Sequence, residues 1–439
     1  MTDPAAAPSP DTDAATLAAV LDAVEAQHAP ALELLEALVA IPSTGGSTAE
    51  VEIQHVLADV LAGDGCAVEL WPLDLDELTA DPAFPGMEVE RSAAYGLLGT
   101  LPGHAPELGR SLLVDGHTDV VPPGDLDAWR GDPYRLRRED RDGVEVLVGR
   151  GTCDMKGGLV AAIAALRAVR AAGVRLAGDL SIAPVVGEED GGLGTFALMR
   201  RGVRADACVV PEPTDLDLVP ANGGALTFRL LVRGRAVHAS RRTEGVSALE
   251  VFLPVLEAVS ALEARRNADV DPLVRRWPIA YPISIGTVHA GDWASTVPDL
   301  LVAEGRMGVA LDEDAAAARA ALEEAVAAAC AAHPFLRTEP VEVQWWGGQF
   351  ASGRSLDEHW LGTLRRAHAA ALPSWRAPET YGAPYGSDLR LLAPYLPTVQ
   401  YGPGDTRHAH APDEHITRAE LEAATRALAV LYVEHCGVV

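Results

Sequence analysis

The sequence predicts an α/β fold: a mostly parallel, twisted sheet sandwiched by helices, with an inserted α+β segment. Apolar strand-like runs at 111–115, 180–186, 206–210 and 397–401 alternate with Ala-rich helical stretches such as 156–172, and such alternation builds sheets covered on both faces. The chain is 439 residues long, beyond the roughly 250 to 300 at which a single core stops growing. Residues 223–347 have a different texture, with strands expected at 226–232, 283–288 and 299–309 and helices at 247–264 and 313–331.

In chain order, residues 1–13 are rich in Ala, Pro, Asp and Ser. They lack the basic start and apolar core of a signal peptide and read as a disordered tail. From 14 to 41, Leu17, Val20, Leu21, Val24, Leu32, Leu35, Leu38 and Val39 recur at helical spacing until Pro42 and Gly45-Gly46, which predicts one amphipathic helix. The main body is expected to span 14–222 and 348–439, with 223–347 as the insertion. The helix from 156 stops at Gly173.

Composition narrows the function classes. Lys+Arg 35 against Asp+Glu 63 gives a formal net charge of -28, which repels phosphate backbones and anionic membrane surfaces; neither nucleic acid nor a membrane is an expected partner. No apolar stretch approaches the ~18 residues of a membrane span. The five cysteines are widely spaced, without a Cys-x-x-Cys pair, so neither a disulfide framework nor a thiolate zinc site is suggested and a reducing cytoplasm fits.

Five acidic or histidine-bearing islands follow strand-like runs: Asp115-Gly116-His117-Thr118-Asp119, Asp154-Met155-Lys156, Glu188-Glu189-Asp190, Pro211-Glu212-Pro213, and His408-Ala409-His410-Ala411-Pro412-Asp413-Glu414. Imidazoles and carboxylates are a ligand set that Zn²⁺ accepts. In open α/β sheets, ligands gather at the carboxyl ends of strands, so islands distant in sequence can meet there. His117 and Asp119 point the same way on an extended segment, so the Asp carboxylate could take the second ring hydrogen. Asp154 precedes a helix, as an ordinary cap would, yet it neighbours Lys156, the only lysine in the chain; that lysine is either a chance survivor or an ammonium needed beside carboxylates. Of Glu188 and Glu189, one could bind metal while the other takes a proton from water. Asp413-Glu414 offers an anchor that favours His410 over His408.

Asp-Gly-His-Thr-Asp-Val-Val-Pro (115–122), Gly-Arg-Gly-Thr-Cys-Asp-Met-Lys-Gly-Gly (149–158), Gly-Glu-Glu (187–189), Pro-Glu-Pro-Thr (211–214) and His-Ala-Pro-Asp-Glu (410–414) resemble, in order and spacing, the dinuclear-metal amidohydrolases. That family includes acetylornithine deacetylase, succinyl-diaminopimelate desuccinylase, aminoacylase and glutamate carboxypeptidase. The resemblance implies two divalent ions, zinc or zinc with cobalt: His117, Asp154 and Glu212 would hold one, and Asp154, Glu189 and His410 the other. It implies Glu188 as general base, Asp119 as partner of His117, and a cis peptide at Asp154-Met155. It also implies that the insertion is a lid and dimerisation domain whose histidine, His238 in Gly234-Arg235-Ala236-Val237-His238-Ala239, reaches the partner subunit's site.

There are departures from the family pattern. Ser240-Arg241-Arg242 stands where a Pro is usual after that histidine, and Ser295 replaces a lid Asn expected to touch substrate. Gly308 occupies the place of a lid arginine, with Arg306 two residues earlier on the same strand face, so Arg306 and Arg390 are both candidates for a substrate carboxylate. The expected substrate is an N-acyl amino acid or small peptide, the expected assembly a cytoplasmic homodimer. A metallo-carboxypeptidase or dipeptidase is the alternative with the same chemistry, and a catalytically silent binding protein the alternative from another class.

Overall fold

The computed structural model describes residues 13–439. The expected N-terminal tail lies outside the described residues, apart from Asp13, which caps the first helix. That helix is not the single one expected: Ala14–Glu25 and His28–Val39 are separate. Pro30 sits in the first turn of the second helix, where it has no N–H to donate and its ring would clash with the carbonyl four residues back.

The main sheet runs in the order Ala67–Pro72, Tyr95–Leu101, Leu180–Val185, Leu112–His117, Ala207–Val210, Thr398–Gln400, Leu218–Asn222 and Gly353–Arg354, with Thr380–Ala383 also on Leu218–Asn222. Its centre is parallel: Leu112–His117 pairs in parallel with the strands on both sides, and Ala207–Val210 with Thr398–Gln400. The edges include antiparallel pairs. Leu112, Val114, Leu180 and Ile182 face one core, with helices Lys156–Ala171, Glu358–Ala371 and Arg418–Cys436. Leu113, Ala183 and Val185 face another, with Leu198, Met199 and Leu392. Burial on both faces explains why these strands read as continuous apolar runs.

After Leu218–Asn222 the chain crosses at Gly223 into a second sheet, all antiparallel, in the order Ile283–Ala290, Leu300–Val309, Gly224–Arg233 and Glu342–Phe350. Helices Ala248–Arg266 and Ala315–Ala332 cover one face, packing Val251, Val255, Leu322 and Val326 on Leu226, Phe228, Leu230 and Leu301. The last strand continues to Phe350, past the expected join at 347. No helix of the described residues is long and apolar enough to cross a membrane, and all five cysteines are free and buried.

Candidate active site

Three neighbouring strands deliver three of the acids and one histidine. His117 ends its strand. Glu188 and Glu189 follow Leu180–Val185 through Gly187, whose φ of 70° suits glycine. Glu212 follows Ala207–Val210 between two prolines. Asp154 lies on a loop leading into helix Lys156–Ala171, and the Asp154–Met155 peptide is cis. One buried carboxylate shapes that loop: Glu414 Oε1 accepts the backbone N–H groups of Gly151, Cys153 and Asp154 at 3.0, 2.9 and 2.9 Å. Its Oε2 pairs with buried Arg150 at 2.6 Å.

The side chains converge. Asp154 faces two imidazoles with different oxygens, Oδ1 at 2.9 Å from His117 Nε2 and Oδ2 at 3.3 Å from His410 Nε2. His410 Nε2 is also 3.0 Å from Glu189 Oε2, and Glu212 Oε1 lies 3.9 Å from His117 Nε2. One ligand atom each of His117, Asp154 and Glu189 falls within 4.8 Å of the others. Asp154, Glu188, Glu189, Glu212 and His410 line a cleft of about 250 Å³, opposite Arg306 and Phe350 of the second sheet.

This concentration of acid is electrostatically costly on its own. Burial pushes the Glu188 and Glu212 carboxyls well above their ordinary range, with the neighbouring acids adding to the effect. Asp154, despite its burial, is held below the usual range by His117 and His410, and its carboxylate and that of Glu189 raise His410 to about 11. The only guanidinium lining the cleft among the described residues, Arg306, is already paired with Glu88 at 2.8 Å. Four acids and two imidazoles without a free fixed cation form a donor set that suits divalent metal ions.

Several sequence expectations need correction. The His117 Nδ1–H goes to the backbone carbonyl of Asp119 at 2.9 Å, while the Asp119 carboxylate stands 3.8 Å away. That carboxylate instead accepts the N–H groups of Glu188 and Glu189 at 3.3 and 3.1 Å, because the neighbouring strand brings their turn within reach. The Asp413-Glu414 pair does not anchor His410: Glu414 holds the Asp154 loop, and Asp413 pairs with Arg137 at 2.6 Å. Lys156 does not stand among the ligand carboxylates. Its ammonium donates to the carbonyls of Leu38 and Ile41 at 2.9 Å each, and burial lowers its pKa to about 7. Both carbonyls lie at or just past the C-terminal end of helix His28–Val39, where the helix dipole favours a cation.

Arg390 lies behind the cleft wall, not in the cleft. It donates to the carbonyls of Ser387 and Gly191 at 2.7 Å each and stacks 3.9 Å from the centre of the Phe350 ring. Arg306 does line the cleft; at Gly308 an added Cβ would lie 3.0 Å from the Tyr281 Cα, leaving little room for a longer side chain. His238 and Ser295 are exposed on loops beyond the strand ends of the second sheet, where Ala239 N–H donates to the Ser295 carbonyl at 2.8 Å and His238 forms a β-bridge with Thr296. Neither lines the cleft of its own chain. Sequence reasoning missed Glu88, Phe350 and Tyr385, which reach the cleft or its arginine from segments with no motif.

A doubly covered α/β sheet that brings two imidazoles and four carboxylates to one cleft defines a metal-dependent amidohydrolase. Residues 113–434 match the profile described as Peptidase family M20/M25/M40, and the chain belongs to that family. Among curated relatives, it is 25% identical over 435 residues to the N-formyl-4-amino-5-aminomethyl-2-methylpyrimidine deformylase of Halalkalibacterium halodurans, covering 92% of this chain and 94% of that one. It is 26% identical over 435 residues to the acetylornithine deacetylase of Pectobacterium atrosepticum, covering 92% and 97%. The fold matches human carnosine dipeptidase 1 with a TM-score of 0.74 at 16% identity, covering 98% of this chain and 100% of that one.

Proposed function

We propose that this protein is a deacylase that hydrolyses the amide bond of N-acyl amino acids with two divalent metal ions, zinc or zinc with cobalt. The observation that carries the reading is the placement of Asp154, whose two oxygens face His117 and His410 separately. His117, Asp154 and Glu212 would hold one ion, and Asp154, Glu189 and His410 the other. When bound, the ions polarise the amide carbonyl and make water a nucleophile near neutral pH. Glu188 takes the proton of that water and returns it to the leaving nitrogen. Asp119 fixes the turn on which Glu188 and Glu189 sit, and Arg306 receives the substrate carboxylate.

In this reading 14–222 and 348–439 form the catalytic domain, and 223–347 the lid and dimerisation domain. Leu249 and Leu253, one helical turn apart on Ala248–Arg266, are 48% and 53% exposed, and Trp293, in the loop after strand Ile283–Ala290, is 72% exposed. These residues supply apolar area for a second copy in a homodimer, through which His238 would act on the partner's substrate. A cleft of about 250 Å³ falls below the roughly 300 to 1,000 Å³ of pockets that take drug-sized ligands, and favours one acylated amino acid over a longer peptide. Zinc- and cobalt-loaded protein assayed on N-acetyl, N-succinyl and N-formyl amino acids and on dipeptides tests the proposal. Turnover of dipeptides alone would make it a peptidase, and turnover of none a binding protein.

A further inference from the structure

The wall of the cleft facing the acids is built from the second sheet and the 383–386 turn. Phe350, 4% exposed, lines it together with Tyr385, Gly386 and Arg306. The Phe350 ring is held firmly. The Arg390 guanidinium lies 3.9 Å from its centre and Arg306 5.6 Å, while a Cβ added at Gly386 or Gly348 would come within 2.9 or 2.7 Å of it. Both glycines are therefore spaces that the ring has filled. The Tyr385 hydroxyl is buried with no hydrogen-bond partner among the described residues, a costly state that a ligand group or water can relieve.

The charge of this wall is equally particular. Its one cation, Arg306, is tied at a single corner by Glu88 Oε1 at 2.8 Å, and the same oxygen receives the Thr227 hydroxyl at 2.9 Å and the Gly348 N–H at 3.3 Å. Three donors thus converge on one oxygen of Glu88, and the residue itself does not line the cleft. The acids that do line it are Asp154, Glu189 and Glu212, which metal ions would neutralise, and Glu188, the proposed base beside them. On this wall a protonated amine at the end of a substrate side chain would find no carboxylate outside that cluster and would meet the Arg306 guanidinium instead.

We infer that the amino-acid side chain accepted by this cleft is a planar aromatic one, lying between Phe350 and Tyr385, and not a basic one. The inference rests on the proposed deacylase activity and narrows its substrate class. An aromatic ring gains an edge-to-face or offset contact with an immobilised partner beyond simple area burial. The donors that Glu88 leaves on Arg306 serve the carboxylate common to all amino-acid substrates.

The test compares kcat/KM of the zinc-loaded enzyme on N-acetyl-L-phenylalanine and N-acetyl-L-ornithine, with the aromatic substrate expected to be preferred about tenfold or more. F350L keeps bulk but removes the ring; an aromatic contact is worth about 1 kcal/mol, so the variant should lose about fivefold on N-acetyl-L-phenylalanine and less on N-acetyl-L-alanine. Equal or better turnover of the ornithine substrate, or an equal loss on every substrate in F350L, would overturn the inference. Calorimetric binding of the same two compounds to zinc-loaded E188Q separates the two levels of argument. Preferential binding of the aromatic compound without turnover in the parent enzyme would sink the deacylase reading and leave the aromatic subsite standing, whereas turnover with preferential ornithine binding would do the reverse.

Discussion

The Asp119 carboxylate accepts the backbone N–H of Glu189 at 3.1 Å, with Glu188 N–H on its other oxygen at 3.3 Å. Two residues proposed for different tasks, metal binding and proton transfer, therefore share one buried anchor. Asp119→Asn replaces one acceptor with a donor that faces an N–H group. It is expected to cut kcat about 10- to 100-fold, as changes behind a metal ligand typically do, with bound zinc, read by atomic absorption, falling in parallel because Glu189 shares the turn.

Glu188 is proposed as the base and not as a ligand. Glu188→Ala should lower kcat by about 10²- to 10⁴-fold, while zinc content stays near that of the parent. Loss of the metal together with the activity would reassign Glu188 as a ligand.

Glu414 gives one oxygen to three backbone N–H groups and the other to Arg150. Removing it strands a buried guanidinium, a change that costs about 3 to 5 kcal/mol. Glu414→Ala is expected to lower the thermal midpoint of the metal-free protein clearly and to weaken metal retention as the Asp154 loop loses its fixed point. An unchanged midpoint would contradict the anchoring role.

His238 and Ser295 sit together on exposed loops beyond the strand ends of the second sheet, and neither lines the cleft of its own chain. His238→Ala should reduce kcat more than it raises KM. Mixed with Glu188→Ala subunits, it should regain part of the activity, since a hybrid dimer pairs an intact cleft with an intact histidine. Absence of any recovery in the mixture would rule out action across the dimer.

His435 provides the pH prediction. Its ring is buried edge-on to Trp360, 4.9 Å between centres, and its Nε2–H donates to the Ser111 carbonyl at 3.1 Å; burial lowers its pKa to about 4 from 6.5. Between those two values the unfolded chain binds the proton that the folded chain refuses, so stability falls as pH drops from 6.5 toward 4, by about 2 to 3 kcal/mol from this group. Urea titrations across that window should show a shallower decline for His435→Gln, and equal slopes would remove the assignment.

The sheet was legible because strands buried on both faces leave continuous apolar runs, as at Leu112–Val114 and Leu180–Val185, and because the ligand-type residues fall just beyond their ends. The helix break was written in Pro30, but the hydrophobic period runs through it and masks the interruption. Lys156 illustrates a harder limit. Its singularity in the sequence was visible, whereas its partners are carbonyls of Leu38 and Ile41, and carbonyls are present at every residue, so no residue type advertises them. Arg390 failed as a candidate for a similar reason: the carbonyls that occupy it carry no sequence signature. Glu88, Phe350 and Tyr385 come together only through the packing of one sheet against the other, which local patterns do not encode.

Gly223 is the single residue between the last main-sheet position, Asn222, and the first of the second sheet, Gly224. Phe350 is paired with Ala225 and Arg306 with Thr227, so both side chains lie close to this joint, while the His238 end of the sheet is far along the strand. With about 3.4 Å of rise per residue, any swing about the joint is geared: the outer end travels far while the aromatic wall barely moves. The Gln349 N–H bond to the Pro85 carbonyl and the Glu88 pair with Arg306 also cross near the fulcrum, where leverage is least. The two ends of the sheet therefore differ in leverage: the wall beside the acids lies next to the joint, and the end that leads to His238 lies a full strand away.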